Sequence, residues 1–261
     1  MLMKRIAVLF LIFSLCLTGC GLFGENPTAP VFTTVPPETT ETVPETTESD
    51  PYAPQLALIW QEMDSWIKDP YADAWCYAVT DLDGNGLLEF ISSDTQGSGH
   101  FTATRMWEVS ADGATLAPVE NSNEYGGGIA LTSGYQSGGT ETVSCFRDPA
   151  TGAWYYIQKT TVHVSALEYV ETTYAVSFCQ GQLSRLILGT MTTTFEPNSV
   201  TYTDSDGNAI TEAEYVAIAE THFAGYPTTN AKICWLDCVA IGDLTEDMLK
   251  TSWEGFSREK A

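Results

Sequence analysis

The period of the apolar positions changes along this chain, and each change marks an element. Residues 54–68 place Leu56, Ile59, Trp60, Met63 and Ile67 on one helical stripe, which Asp69-Pro70 ends. Aromatic side chains on such a stripe, Trp60 and Trp66 here, are read first as core and only second as sugar-stacking platforms. From residue 75 the period drops to two. Strands are predicted over 75–80 and 87–92 on either side of a loop, and over 100–110 and 115–119 around the turn Ala111-Asp112-Gly113. Two further pairs follow, 140–147 with 153–164 and 169–179 with 183–195, each joined by a glycine-containing turn. Their Thr, Val, Tyr and Trp content suits a sheet with one buried and one wetter face. Thr211 and Glu214 then form a capping box ahead of an apolar stripe at Tyr215, Ile218, Ala219, His222 and Phe223. A strand over 232–240 and a helix over 245–256 close the chain. The fold class expected is α+β: mainly antiparallel β-sheet, with an N-terminal helix and two C-terminal helices.

The first fifty residues follow a different logic. Lys4-Arg5 precedes an apolar run over 6–17 that is too short to span a bilayer and reads as a secretory signal. Its end, Leu17-Thr18-Gly19-Cys20, resembles a bacterial lipobox. That resemblance implies removal of residues 1–19, lipidation of Cys20, and a protein held at the cell membrane on its extracytoplasmic side. Residues 20–50 are rich in Pro, Thr and Glu, with Pro-Glu-Thr-Thr at 37–40 and again at 44–47. Such a segment has little to bury and is expected to be a disordered tether, reaching at most about 90 Å in polyproline II form. Residues 51–261 remain as a single domain, enough chain for a sizeable core.

Charge narrows the partners. The chain has 34 acids against 11 bases, a net −23, and no cluster of Lys and Arg that could release counterions from a polyanion, so nucleic acid is excluded. A strongly acidic surface suits an extracytoplasmic protein that stays soluble and attracts divalent cations. Of seven cysteines, Cys16 and Cys20 belong to the leader. Cys76, Cys145, Cys179, Cys234 and Cys238 have neither the even count of a disulfide framework nor a CxxC pair, and read as small apolar residues with at most one bridge among them.

One stretch carries chemistry by position. In Asp81-Leu82-Asp83-Gly84-Asn85-Gly86-Leu87-Leu88-Glu89, side-chain oxygens recur at every second place and a glycine stands at the sharp turn. This is the spacing of a calcium loop, with Asp81, Asp83, Asn85 and Glu89 offering side chains and Leu87 its carbonyl. Leu82 and Leu88 would anchor it in a core. The twelfth position, an acid in an EF-hand, is Ser92, and strands flank the loop, so the stretch resembles the strand-loop-strand calcium loops of FG-GAP-type repeats. A bound Ca²⁺ is expected to be structural, with an extracellular-grade Kd of about 10⁻⁴ to 10⁻³ M. Asp204-Ser205-Asp206-Gly207-Asn208 looks similar but has Ala209 at the turn position and is read as a turn before a helix. The glycine-rich 124–139 lacks the Lys-Ser/Thr of a nucleotide loop and is read as a mobile loop or a tight sheet crossing.

The layout of lipobox, tether, leading helix, one calcium loop, paired strands around Trp107-Glu108-Val109 and a turn and helix over 204–223 resembles uncharacterised surface lipoproteins of gut Firmicutes. The resemblance implies no assigned activity. HExxH and GxSxG are absent, and His100, His163 and His222 have no nucleophile signature nearby. The expectation is a non-enzymatic binding or interaction module, its ligand a cell-wall component, a glycan or a protein. A glycan hydrolase using paired carboxylates and a passive surface or assembly protein are the alternatives.

Overall fold

Alternation along the strands resolves into two antiparallel sheets, and the polarity of each strand decides which neighbour covers which face. The computed structural model describes residues 50–62, 75–94, 104–119, 139–179, 181–236 and 244–260. The smaller sheet runs in the order β1 (Trp75–Thr80), β2 (Glu89–Asp94), β3 (Thr104–Val109), β4 (Leu116–Pro118). The larger has eight strands: β5 (Gly139–Arg147), β6 (Trp154–Ser165), β7 (Glu168–Cys179), β8 (Gln182–Phe195), β9 (Asn198–Asp204), β10 (Ala209–Ile210), β11 (Thr228–Trp235) and β12 (Ser257–Lys260). Its spatial order is β10-β9-β8-β7-β6-β5-β11-β12, an antiparallel meander closed by two late strands. Helices α1 (Ala53–Gln61), α2 (Glu212–Val216), α3 (Ile218–His222) and α4 (Glu246–Gly255) complete the described elements.

Side chains at every second position sort these elements into layers. Cys76, Ala78, Ile91 and Met106 of the small sheet meet Tyr156, Tyr174, Val176, Phe178 and Ile233 of the large one in a single core. The opposite face of the small sheet, with Tyr77, Val79, Phe90 and Trp107, is covered by Leu56 and Ile59 of α1 and Leu249 of α4. On the outer face of the large sheet, Phe146, Ala175 and Leu188 take up Ala219 and Phe223 beside α3. The sheet-rich α+β class stands, with a leading helix and later helices.

Among the described residues, the two sheets also share one main-chain seam. Tyr77 and Leu236 form a β-bridge, the Leu236 N–H donating to the Tyr77 carbonyl at 2.8 Å. Two residues on, where Val79 would face Cys234, the hydroxyl of Ser252 from α4 is inserted instead. It accepts from the Val79 N–H at 2.9 Å and donates to the Cys234 carbonyl at 2.6 Å. A fully buried serine thus satisfies two main-chain groups that the diverging strands leave open.

Several boundaries differ from expectation for local reasons. The strand after the calcium-type loop begins at Glu89 instead of residue 87, because the Leu87 and Leu88 N–H groups are taken by Asn85 Oδ1 and Gln55 Oε1. The capping box at Thr211 and Glu214 is present, but the stripe is carried by two short helices that step at Ala217. The step leaves Tyr215 bonded to Thr173 at 2.8 Å while Phe223 stacks on Phe146 and Tyr155. Strands β9, β10 and β12 were not anticipated. Trp60 packs against the core under α1, as expected. Among the described residues no disulfide joins Cys76, Cys145, Cys179 or Cys234, and burial pushes the Cys145 thiol up to about 11. Among the described residues no helix is long and apolar enough to cross a membrane. The leader, Cys20, the tether up to residue 49, Trp66, His100, residues 124–138 of the glycine-rich stretch and Cys238 lie outside the described residues.

Replacing Ser252 by Ala strands a buried N–H and a carbonyl at the seam, and should cost about 1–3 kcal/mol. Urea denaturation of the variant reads this as a lowered midpoint at unchanged m-value.

Candidate metal centre

The loop between β1 and β2 is held from both sides by the apolar residues that interrupt its polar ones. Leu82 is fully buried in the core between the sheets, and Leu88 is fully buried in the core under the helices. Pinned this way, the intervening residues turn tightly through Gly84 and Gly86, at φ 76° and 85°, where a side chain would be strained. A Cβ at Gly84 would also stand 2.9 Å from Arg258 Nη2, so the guanidinium would have to shift.

Oxygens of Asp81, Asp83 and Glu89 all come within 4.8 Å of one another. Glu89 has no exposed surface and Asp81 is 7% exposed, whereas Asp83 is half-buried. Their hydrogen bonds are one-sided. Glu89 Oε2 accepts from the Thr80 hydroxyl and the Leu82 N–H, each at 2.8 Å, while Oε1 accepts from none of the described residues. Asp81 Oδ2 accepts from the Gly86 N–H at 3.3 Å and lies 4.0 Å from Arg258 Nη2, while Oδ1, equally buried, accepts from none of them.

Burial, followed by the charges of Asp81 and Asp83, pushes the Glu89 carboxyl well above its usual range, against the two hydrogen bonds that favour the anion. Burial likewise raises Asp83, with Asp81 adding to it and Arg258 opposing. A site of this kind favours either a proton or a cation of higher charge.

Of the five ligands expected, three are brought together. Asn85 is adjacent but otherwise engaged: its Oδ1 accepts from the Leu87 N–H at 2.6 Å and its Nδ2 donates to Asp83 Oδ2 at 3.1 Å and to Glu108 Oε1 at 2.8 Å. The peptide around Leu87 is bracketed by Gln55 of α1, which donates to the Gly86 carbonyl at 2.9 Å and accepts from the Leu88 N–H at 2.8 Å.

Other residues shape the loop from far along the chain. Arg258 of β12 donates through Nη1 to the Asp81 and Leu82 carbonyls at 2.6 and 2.9 Å and to the Tyr156 hydroxyl at 3.2 Å. Tyr156 in turn donates to the Leu82 carbonyl. None of Gln55, Glu108, Tyr156 or Arg258 carries a local sequence signal for this role, since each reaches the loop only through the fold.

The second Asp-rich stretch is a plain turn between β9 and β10. Asp204 Oδ1 accepts from the N–H groups of Asp206 and Asn208 at 3.0 and 2.8 Å, and Oδ2 from Asn208 Nδ2 at 3.0 Å. These donors hold the Asp204 carboxyl below its usual range. His163 is exposed beside Tyr169, and His222 lies edge-on against Phe223.

Comparisons with protein families, with curated proteins and with solved structures find no match to this chain. Fold and site together define a β-rich α+β protein with a buried acidic loop where its two sheets meet.

A raised carboxyl means that the folded state binds more protons than the unfolded one. The contribution of Glu89 to stability is therefore fullest below the ordinary Glu value of 4.5 and is lost as pH rises through the higher folded value. Asp83 and Glu108 shift the same way; Asp81 and Arg258 face Asp83, Asp83 and Asp81 face Glu108, and Tyr156 faces Glu89. In metal-free buffer the melting temperature should fall as pH is raised from 5 toward 8, and the Glu89→Gln variant should have a shallower slope.

Proposed function

We propose that this chain is a membrane-anchored extracytoplasmic lipoprotein whose β-rich domain is a non-enzymatic binding or interaction module, its β1–β2 loop closed around a structural Ca²⁺. The observation that carries the cation is the pair of buried carboxylate oxygens, Asp81 Oδ1 and Glu89 Oε1, that accept no hydrogen bond among the described residues, beside a third carboxylate. Unpaired buried anions are costly, and an oxygen-preferring divalent cation is the partner that relieves all three at once. Outside the cytoplasm, an affinity in the extracellular range suffices for occupancy.

Burial also supports the non-enzymatic reading. A glycosidic bond must pass between two carboxyl groups, and neither Glu89 nor Asp81 has the exposure to meet one. The anchor rests on Leu17-Thr18-Gly19-Cys20 and the Pro/Thr/Glu-rich tether behind it. A tether of that composition lifts a domain off the membrane toward a cell-wall, glycan or protein ligand.

Thermal melts in chelator and in calcium test the cation. At about a hundredfold excess over Kd, calcium should stabilise the protein by about 2.7 kcal/mol, and Asp83→Asn should lose most of that gain. An unchanged midpoint at saturating calcium removes the metal from the proposal. For the anchor, Cys20→Ala should abolish lipid labelling and shift the protein from the membrane fraction to the soluble one.

A further inference from the structure

Glu108 lies outside the loop and outside its spacing, yet it faces the same site. On β3 it pairs in register with Glu89 of β2, which pairs in turn with Thr80 of β1. Register partners in antiparallel strands project from one face, so Thr80, Glu89 and Glu108 form a row on the side of the small sheet that looks toward the large one. Like charges directly opposite one another destabilise a sheet. Here the pair has one fully buried member and one half-buried member.

The link to the loop is short. Glu108 Oε1 accepts from Asn85 Nδ2 at 2.8 Å, and the same nitrogen donates to Asp83 Oδ2 at 3.1 Å. One neutral amide nitrogen therefore lies between two carboxylates. Burial raises the Glu108 carboxyl, and the charges of Asp83 and Asp81 add to it.

Calcium takes six to eight oxygens, and a helix-loop-helix site completes its shell with an acid at the twelfth position that binds through both oxygens. That position here is Ser92, buried in the middle of β2 and paired with Tyr77 and Arg105. We propose that Glu108 supplies the missing acid from the neighbouring strand, joining Asp81, Asp83 and Glu89 around a divalent, oxygen-preferring cation. The inference rests on the cation reading of the loop and extends it from one strand connection to two. Turning the Asn85 amide out of the gap brings Glu108 onto the ion, and the opposed Glu89–Glu108 pair becomes a pair of ligands. The ion then fastens β3 to the β1–β2 loop.

Calorimetric titration of the full chain with calcium chloride alone tests this, comparing the natural protein with Glu108→Gln, Glu108→Asp and the exposed control Glu220→Gln. Glu108→Gln should weaken calcium binding on the order of 10- to 100-fold, Glu108→Asp less, and Glu220→Gln not at all. In chelator, the Glu108→Gln melting temperature should equal or exceed that of the natural protein, because an opposed charge is gone. A merely structural role would lower it. Infrared difference spectra on calcium addition should lose one shifted carboxylate band in Glu108→Gln. If the natural protein binds calcium and Glu108→Gln binds it equally well with every band retained, Glu108 is not a ligand while the loop site stands. If the natural protein takes up no calcium at about 10 mM, above the weakest extracellular sites, the loop reading falls and this inference falls with it.

Discussion

Repulsion among Asp81, Asp83 and Glu89, whose oxygens gather within 4.8 Å where two of the three side chains have almost no contact with water, constrains the whole junction between the sheets. Two unit charges about 4 Å apart repel by about 4 kcal/mol at the effective dielectric of a protein surface. A hydrogen bond returns a net gain of only about 0.5–1.5 kcal/mol, or about 1.5–3 kcal/mol when one partner is charged. Thr80, the Leu82 N–H and the Gly86 N–H each supply such a bond, and together they satisfy one oxygen of Glu89 and one of Asp81. Donors alone therefore do not offset the crowding. Arg258 contributes a full charge, but it stands 4.0 Å from Asp81 Oδ2 and spends its short contacts on main-chain carbonyls and Tyr156.

The same contacts hold the loop from several sides. Gln55 reaches it from α1, Tyr156 from β6 and Arg258 from β12, so three separate elements fix a connection of eight residues between β1 and β2. Leu82 and Leu88 enter opposite cores. A loop held on both flanks cannot relax by swinging its acids into solvent, which is the usual escape for a crowded carboxylate. Its remaining options are protonation or a cation, and both follow from packing more than from the loop residues themselves.

Strands were legible from their Thr, Val, Tyr and Trp content and the turn residues that bound them: β1, buried on both faces, is bounded at the residues expected, and β5 to β8 fall within a residue or two of their expected limits. The α4 helix, expected over 245–256, runs over Glu246–Gly255 behind Thr245, whose side chain accepts from the Met248 N–H. Strand β9, Asn-Ser-Val-Thr-Tyr-Thr-Asp, is exposed or half-buried throughout and lacks the alternation that reveals a strand. Strand β12 is Ser-Arg-Glu-Lys, a polar tetrapeptide whose place is set by pairing with β11. The most consequential miss was within it, since Arg258 looks in sequence like any surface charge. At the site, spacing located Asp81, Asp83 and Glu89 correctly as neighbours. It could not register that Asn85 turns its amide nitrogen toward Asp83 and Glu108, because Glu108 arrives only when β3 pairs with β2.

The chain contains Asp-x-Asp-Gly-Asn twice, at Asp81 and at Asp204, and the contrast separates what the motif does from what its surroundings do. At Asp204 the second residue is Ser205, and residues 205–208 are exposed. The chain folds back on Asp204, whose two oxygens are saturated by Asp206 and Asn208, and the carboxyl titrates below its usual range. At Asp81 the second residue is Leu82, which is fully buried and draws the loop into the space between the sheets. The sixth residue is Gly86, not Ala209, and permits the positive φ that brings the ninth, Glu89, back over the first. Four shared letters at the same spacing thus give a solvated hairpin turn in one place and a buried acidic centre in the other. A leucine and a glycine decide between them, because they determine whether the carboxylates meet main-chain donors at the surface or one another in the interior.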